Sequence, residues 1–172
     1  MSRIKKLVFL SLLVSVGLAL SIIESTMPVP FLAPGAKLGL SNMVVLTTLV
    51  IFGFKEAFAV AVIRSLTFAL ATGGFSGLFY SLAGAILSVI VMGIVFKFFK
   101  NFFSLIGVSI FGAMAHNIAQ IGVASIIMEN IKIFSYLPIM SLVSLFTGYF
   151  VGLSSIMITR TFEKNFSKII NY

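Results

Sequence analysis

Apolar residues fill this chain in long continuous runs, and the polar positions collect in the gaps between them. Six runs stand out, at 7–23, 38–54, 57–72, 75–96, 103–128 and 135–159. An α-helix needs roughly 20 apolar residues, about 17 to 25, to cross the hydrocarbon core of a bilayer. The runs end at Glu24, at Lys55-Glu56, at Gly73-Gly74, at Lys97, at Glu129 and at Arg160. The third is short and is interrupted by Arg64. Strands of a membrane barrel would instead alternate over segments of about ten residues. The pattern therefore predicts an all-α integral membrane protein, with six transmembrane helices forming a single transmembrane domain over 1–172.

The first long gap reads PVPFLAPGAKLGLSN, from Pro28 to Asn42. Pro28, Pro30 and Pro34 each fix φ and remove a backbone donor, and Pro34-Gly35 is a turn signal. Yet Val29, Phe31 and Leu32 are apolar. Non-helical backbone at membrane depth survives where protein buries it or a cavity hydrates it. A lid or wall over an outer-side pocket fits both properties; a rigid surface connector is the competing reading.

Composition supports the membrane assignment. The 172 residues are 60% hydrophobic and 9% charged, against about 25% charged in a soluble domain. The net charge of +8 would raise the question of nucleic acid in a soluble protein. Here the bases lie in short segments between apolar runs, and no basic cluster interleaved with aromatics suggests a nucleic-acid surface. With both termini in the cytoplasm, Arg3, Lys5, Lys6, Lys55, Lys97, Lys100, Arg160, Lys164 and Lys168 fall inside. Only Lys37 and Lys132 fall outside, as the positive-inside bias requires of an even number of spans. This places the protein in the cell membrane as a multi-pass chain. The basic start MSRIKK resembles a signal peptide, but no clear A-x-A site follows, so the first run is read as a span. The tail 162–172 reads as a short basic interfacial segment.

Several chemistries are excluded by residue type. There is no Cys, hence no disulfide or thiolate site. The lone His116 does not make a zinc site with four scattered Glu. No G-x-x-x-x-G-K-[ST] segment is present to bind ATP, and no cofactor is expected.

Polar groups inside the runs are the functional candidates, because they are costly there. Arg64 lies near the middle of the third run. Its alternatives to ligand binding are snorkelling or a structural pair. In AHNIAQ, His116 and Gln120 are four apart and Asn117 and Gln120 three apart, so they fall on one helix face. The alternative for these is hydrogen bonding between helices. Asn42 sits one turn inside the second run, with Lys37 at its mouth. Together with Arg64 and the positive N-terminal end of that helix, they suit an anionic group. Lys37 reads equally as an interface anchor. Ser11, Ser15 and Ala19 recur every four residues, a small-residue stripe suited to close helix contact. Gly148 and Gly152 form a GxxxG, most simply explained by packing inside the bundle.

The segments PGAKLGLSN, FGFKEA, IRSLTFALATGG, SLAGAILS and IGVSIFGAMAHNIAQ resemble a membrane family described as Gx transporter or heptaprenyl diphosphate synthase component I. The similarity runs through about residues 8–155, with Ser41 where Ala is expected. The family is similar to the substrate-binding S components of energy-coupling factor (ECF) transporters. That resemblance implies six helices and an outer-side pocket covered by the first connecting loop. It also implies a first-helix stripe that docks on a transmembrane coupling subunit, with two ATPase subunits completing the assembly. By resemblance, Pro34, Gly35, Lys37 and Asn42 belong to lid and pocket, His116, Asn117 and Gln120 line the pocket, and Ser11, Ser15 and Ala19 dock the partner. The expected function is capture of a small solute, anionic or amphipathic, and the chain is not expected to be an enzyme. Prenyl diphosphate synthases of the usual kind hold Mg²⁺ through Asp-rich motifs, because the hard cation requires carboxylate oxygens. This chain has no Asp, so the alternative is a non-catalytic accessory subunit in isoprenoid or quinone synthesis.

Overall fold

The computed structural model describes residues 3–27 and 38–170, with side chains throughout except at 75, 76 and 165–170. Among the described residues there are six α-helices: α1 (Arg3–Thr26), α2 (Asn42–Phe52), α3 (Phe54–Thr72), α4 (Phe75–Phe99), α5 (Leu105–Ile127) and α6 (Leu137–Ile170). A 3₁₀ turn, Ile131–Tyr136, leads into α6. Among the described residues, four segments are long and apolar enough to cross a membrane: α1, α4, α5 and the stretch 131–164, which takes in the 3₁₀ turn and most of α6.

Large apolar side chains cover the outside of the bundle. Leu70 is 84% exposed, Ile126 78% and Phe146 70%. A water-soluble monomer rarely exposes apolar patches beyond a few hundred Å², so this surface is built to face lipid. The chain is a multi-pass membrane protein. The interior holds Val45, Leu46, Ala61, Val89, Met92 and Val108 from α2 to α5 as one apolar cluster. A second cluster, with Tyr80, Ile121 and Met140, lies beside the 3₁₀ turn.

Helix boundaries depart from the apolar runs where backbone chemistry overrides hydropathy. The run 38–54 becomes a helix of only 11 residues, roughly 16 Å long and so about half a bilayer. Its start is delayed by a turn in which Asn42 N donates to Gly39 O at 2.9 Å. Its end is set by Gly53, whose φ of 97° is open to glycine and disfavoured for other residues. Gly53 N donates back to Leu49 O while Gly53 O accepts from Ala57 N, both at 3.1 Å. One residue therefore closes α2 and opens α3, and the chain reverses there.

Two other boundaries move outward. Glu24 was expected to stop the first helix, yet α1 continues to Thr26, because a carboxylate ends an apolar run without breaking backbone hydrogen bonds. The expected interfacial tail is likewise continuous with the last helix, since α6 runs on to Ile170. Phe162 on that extension meets Phe9 of α1 and Phe52 of α2, with ring centroids 5.3 and 5.9 Å away. Lys6 and Glu56 pair at the same end of the molecule. This lysine-rich end carries the starts of α1 and α3 and the ends of α2 and α4.

Helices α5 and α6 close on each other through glycine. A Cβ at Gly148 would stand 2.6 Å from Ile110 Cα, and one at Gly152 2.6 Å from Ile106 Cα. The GxxxG is thus consumed inside the bundle.

Candidate functional site

In the half of the bundle away from Lys6 and Glu56, polar side chains from α1, α2, α3 and α5 converge. The arrangement starts with Glu24, in the last turns of α1 and only 4% exposed. Its carboxylate accepts the backbone N–H of Gly39 and, at 3.4 Å, that of Leu40. A negative charge thus fastens the residues entering α2, whose N–H groups have no helical partner of their own.

Arg64 comes from the middle of α3 and is 2% exposed. A Cβ on Gly17 would lie 2.8 Å from Arg64 Cδ, so glycine at this point of α1 makes room for the arginine stem. The guanidinium then reaches α1 and the turn before α2 together. Its Nη1 donates to Ser21 Oγ at 2.8 Å and to Ser41 Oγ. Glu24 is near enough to act electrostatically on it. The pair of opposite charges holds both in the interior at less cost than either alone. Even so, Arg64 Nε and Nη2 are buried and have no hydrogen-bond partner among the described residues, and neither does either amide atom of Asn42.

Asn42 and His116 lie against the same turn. A Cβ at Gly39 would meet Asn42 Nδ2 at 3.2 Å and His116 Cδ2 at 3.3 Å. On its other side the imidazole presses on Gly84 of α4, where an added Cβ would stand 2.6 Å from His116 Cε1. One turn along α5, Gln120 Nε2 is 3.0 Å from His116 Nε2. His116 is 3% exposed and Gln120 0%.

Asn42, Arg64, His116 and Gln120 are therefore brought to one region. Asn117 is not among them. Its Nδ2 donates across to α6, to Met140 O at 3.0 Å and Ser144 Oγ at 2.8 Å. Pro34, Gly35 and Lys37, and with them the proposed lid, lie outside the described residues. Ser11, Ser15 and Ala19 are exposed on the outer face of α1. The two hydroxyls donate to carbonyls one turn back, Ser11 to Leu7 O and Ser15 to Ser11 O, each at 3.0 Å. That leaves a low, internally satisfied surface.

Sequence reasoning passed over Glu24, Ser21 and Ser41. Glu24 read as a punctuation mark and Ser41 as a departure from a familiar motif. A signal was present: an Arg at mid-membrane calls for a carboxylate, and Glu24 is the acidic residue bordering the same loop.

A bundle of apolar helices whose interior carries charge and amides at one end defines an integral membrane protein with a buried polar site. Within that class, the family model for heptaprenyl diphosphate synthase component I matches residues 13–158, and the chain belongs to that family. No curated protein and no solved structure matches it.

Proposed function

We propose that this protein is the solute-binding membrane subunit of an ECF-type importer, its termini in the cytoplasm and its polar site toward the outer face. The observation that carries this reading is the unused hydrogen-bonding capacity around Arg64. An unsatisfied buried polar group costs about 1–3 kcal/mol, more when charged. Among the described residues, Arg64 leaves two nitrogens and Asn42 its whole amide without partners. A small ligand with an anionic or strongly accepting group would satisfy Arg64 Nε and Nη2, and Asn42 would supply a donor and an acceptor beside them. His116 and Gln120 would border the remainder.

The charge bias of the connecting segments supports the orientation. The exposed stripe of Ser11, Ser15 and Ala19 supports a helix-docking role for α1, because small residues let a partner helix approach closely. A transmembrane coupling subunit with ATPase subunits would supply the energy. A second reading, a non-catalytic accessory subunit of isoprenoid synthesis, is favoured by the description of the matched family.

The test is to collect the small molecules released on heat-denaturing the purified protein and return that fraction to fresh protein. Binding to the native state raises the unfolding temperature by mass action. The gain is expected for the unmodified chain and lost in Arg64→Met and Asn42→Ala, with Asn117→Ala retaining it. Absence of any gain, together with stable co-purification of a prenyl diphosphate synthase, would replace this reading with the second.

A further inference from the structure

A separate groove lies at the lysine-rich end, between the α2–α3 reversal and the last turns of α4. It encloses about 500 Å³, within the 300–1,000 Å³ usual for small-molecule sites. Its inner wall is Leu49 and Ile90, and Gly53 and Gly93 contribute no side chain to fill it. Phe54 seats its ring on Gly93, where an added Cβ would come within 2.5 Å of it. The outer wall is Ile94 and Phe98, 48% and 66% exposed, so the groove opens sideways onto the lipid-facing surface. Lys97 and Lys100 also line it. They are three apart at the end of α4 and therefore on one face. Neither forms an ion pair among the described residues. Lys97 Nζ rests 5.3 Å from the Phe98 ring centroid, at the edge of the apolar wall.

We propose that this groove binds one anionic phospholipid of the cytoplasmic leaflet. An acyl chain would occupy the apolar trough, and the phosphate would lie between Lys97 and Lys100. Charge complementarity selects the occupant: the walls are hydrocarbon and the polar lining is cationic. Position supports it too, because the cytoplasmic leaflet carries the anionic lipids that attract juxtamembrane bases. The proposal rests on the orientation given above but not on the solute site, which lies in the other half of the bundle. The bound lipid would tie the α2–α3 reversal to α4.

The experiment is native mass spectrometry of the full chain released from vesicles of mixed phosphatidylglycerol and phosphatidylcholine. One retained phosphatidylglycerol per protein is expected, at least tenfold depleted in the exposed-site double variant Lys97→Gln/Lys100→Gln. Ile90→Trp, which fills the trough, should deplete it similarly while leaving the solute-dependent thermal shift in place. Equal retention of phosphatidylcholine, no retained lipid, or retention unchanged in both variants would overturn the proposal. So would displacement of the lipid by an equimolar soluble amphiphile such as farnesyl diphosphate, which would assign the groove to a different occupant.

Discussion

The seam between α5 and α6 and the seam between α1 and α3 solve the same problem in opposite ways. At the first, glycines bring two backbones together, and Gly148 and Gly152 sit directly on Ile110 and Ile106. Its polar member, Asn117, donates its Nδ2 to Met140 O and Ser144 Oγ, while its Oδ1 has no hydrogen-bond partner among the described residues. At the second, Gly17 makes room for an arginine, and Ser21, Ser41 and Glu24 gather around the charge. The first seam is closed by van der Waals contact. The second is held by polar groups and leaves more hydrogen-bonding capacity over among the described residues, at Arg64 Nε and Nη2 and both amide atoms of Asn42. In hydrocarbon, where apolar burial gives helices little reason to associate, the two devices separate close backbone packing from buried charge.

The largest expected effect falls on the closed seam. Gly148→Leu would drive a side chain into the Ile110 backbone, which cannot swing away as a side-chain tip can. A loss of about 3 kcal/mol or more is expected, read as a collapse of the monodisperse peak and of the unfolding temperature in detergent. A tolerated Gly148→Leu would mean that α5 and α6 are further apart than described.

Next comes the polar seam. Glu24→Ala strands the Gly39 and Leu40 amides and removes the countercharge from the neighbourhood of Arg64. A cost of about 2–3 kcal/mol is expected, with faster amide exchange at 39–42 by mass spectrometry. Unchanged exchange there would show that Glu24 does not hold the entry to α2.

Asn117→Ala sharpens the contrast. Interhelical hydrogen bonds in membranes average about 0.6 kcal/mol and reach about 1.7, so a small destabilisation is expected with ligand response intact. If the response disappeared instead, Asn117 would belong to the site and the two seams would not be separable.

The smallest effect lies outside both, at the lysine-rich end. Lys6 beside Glu56 holds the Glu56 carboxyl below its ordinary value. A carboxyl with a lowered folded-state pKa stabilises above its unfolded pKa of about 4.3, and the benefit is lost as pH falls through the folded value. For a pair this accessible the gain is under about 1 kcal/mol. Comparing unfolding temperatures at pH 7 and pH 3.5 in the parent and in Lys6→Gln should show the larger acid-induced drop in the parent. Equal drops would mean that the pair contributes nothing.

Most of the architecture was legible in the runs. The expected spans 75–96 and 103–128 emerge as α4 and α5 with ends shifted by three residues at most, because continuous apolar sequence leaves the backbone only internal hydrogen bonds to make. The span 38–54 was less legible, since hydropathy does not report the φ of Gly53 or the turn at Gly39. The candidate site was legible as a set of residue types. Arg64, His116, Asn42 and Gln120 draw attention because each is expensive in lipid. Glu24 and Ser41 do not, because their importance comes from where Arg64 points.

The sequence alone determined that this chain crosses a membrane, which ends carry the bases, and which residues are costly enough in hydrocarbon to need a reason. These follow from transfer energies, which each residue carries wherever it lies. Only the tertiary structure decided which of those residues share a region. It turned Asn117 to α6, set Arg64 across Gly17 and recruited Glu24. Those outcomes depend on helix rotation and close backbone approach, and both are fixed by contacts between segments far apart in the chain.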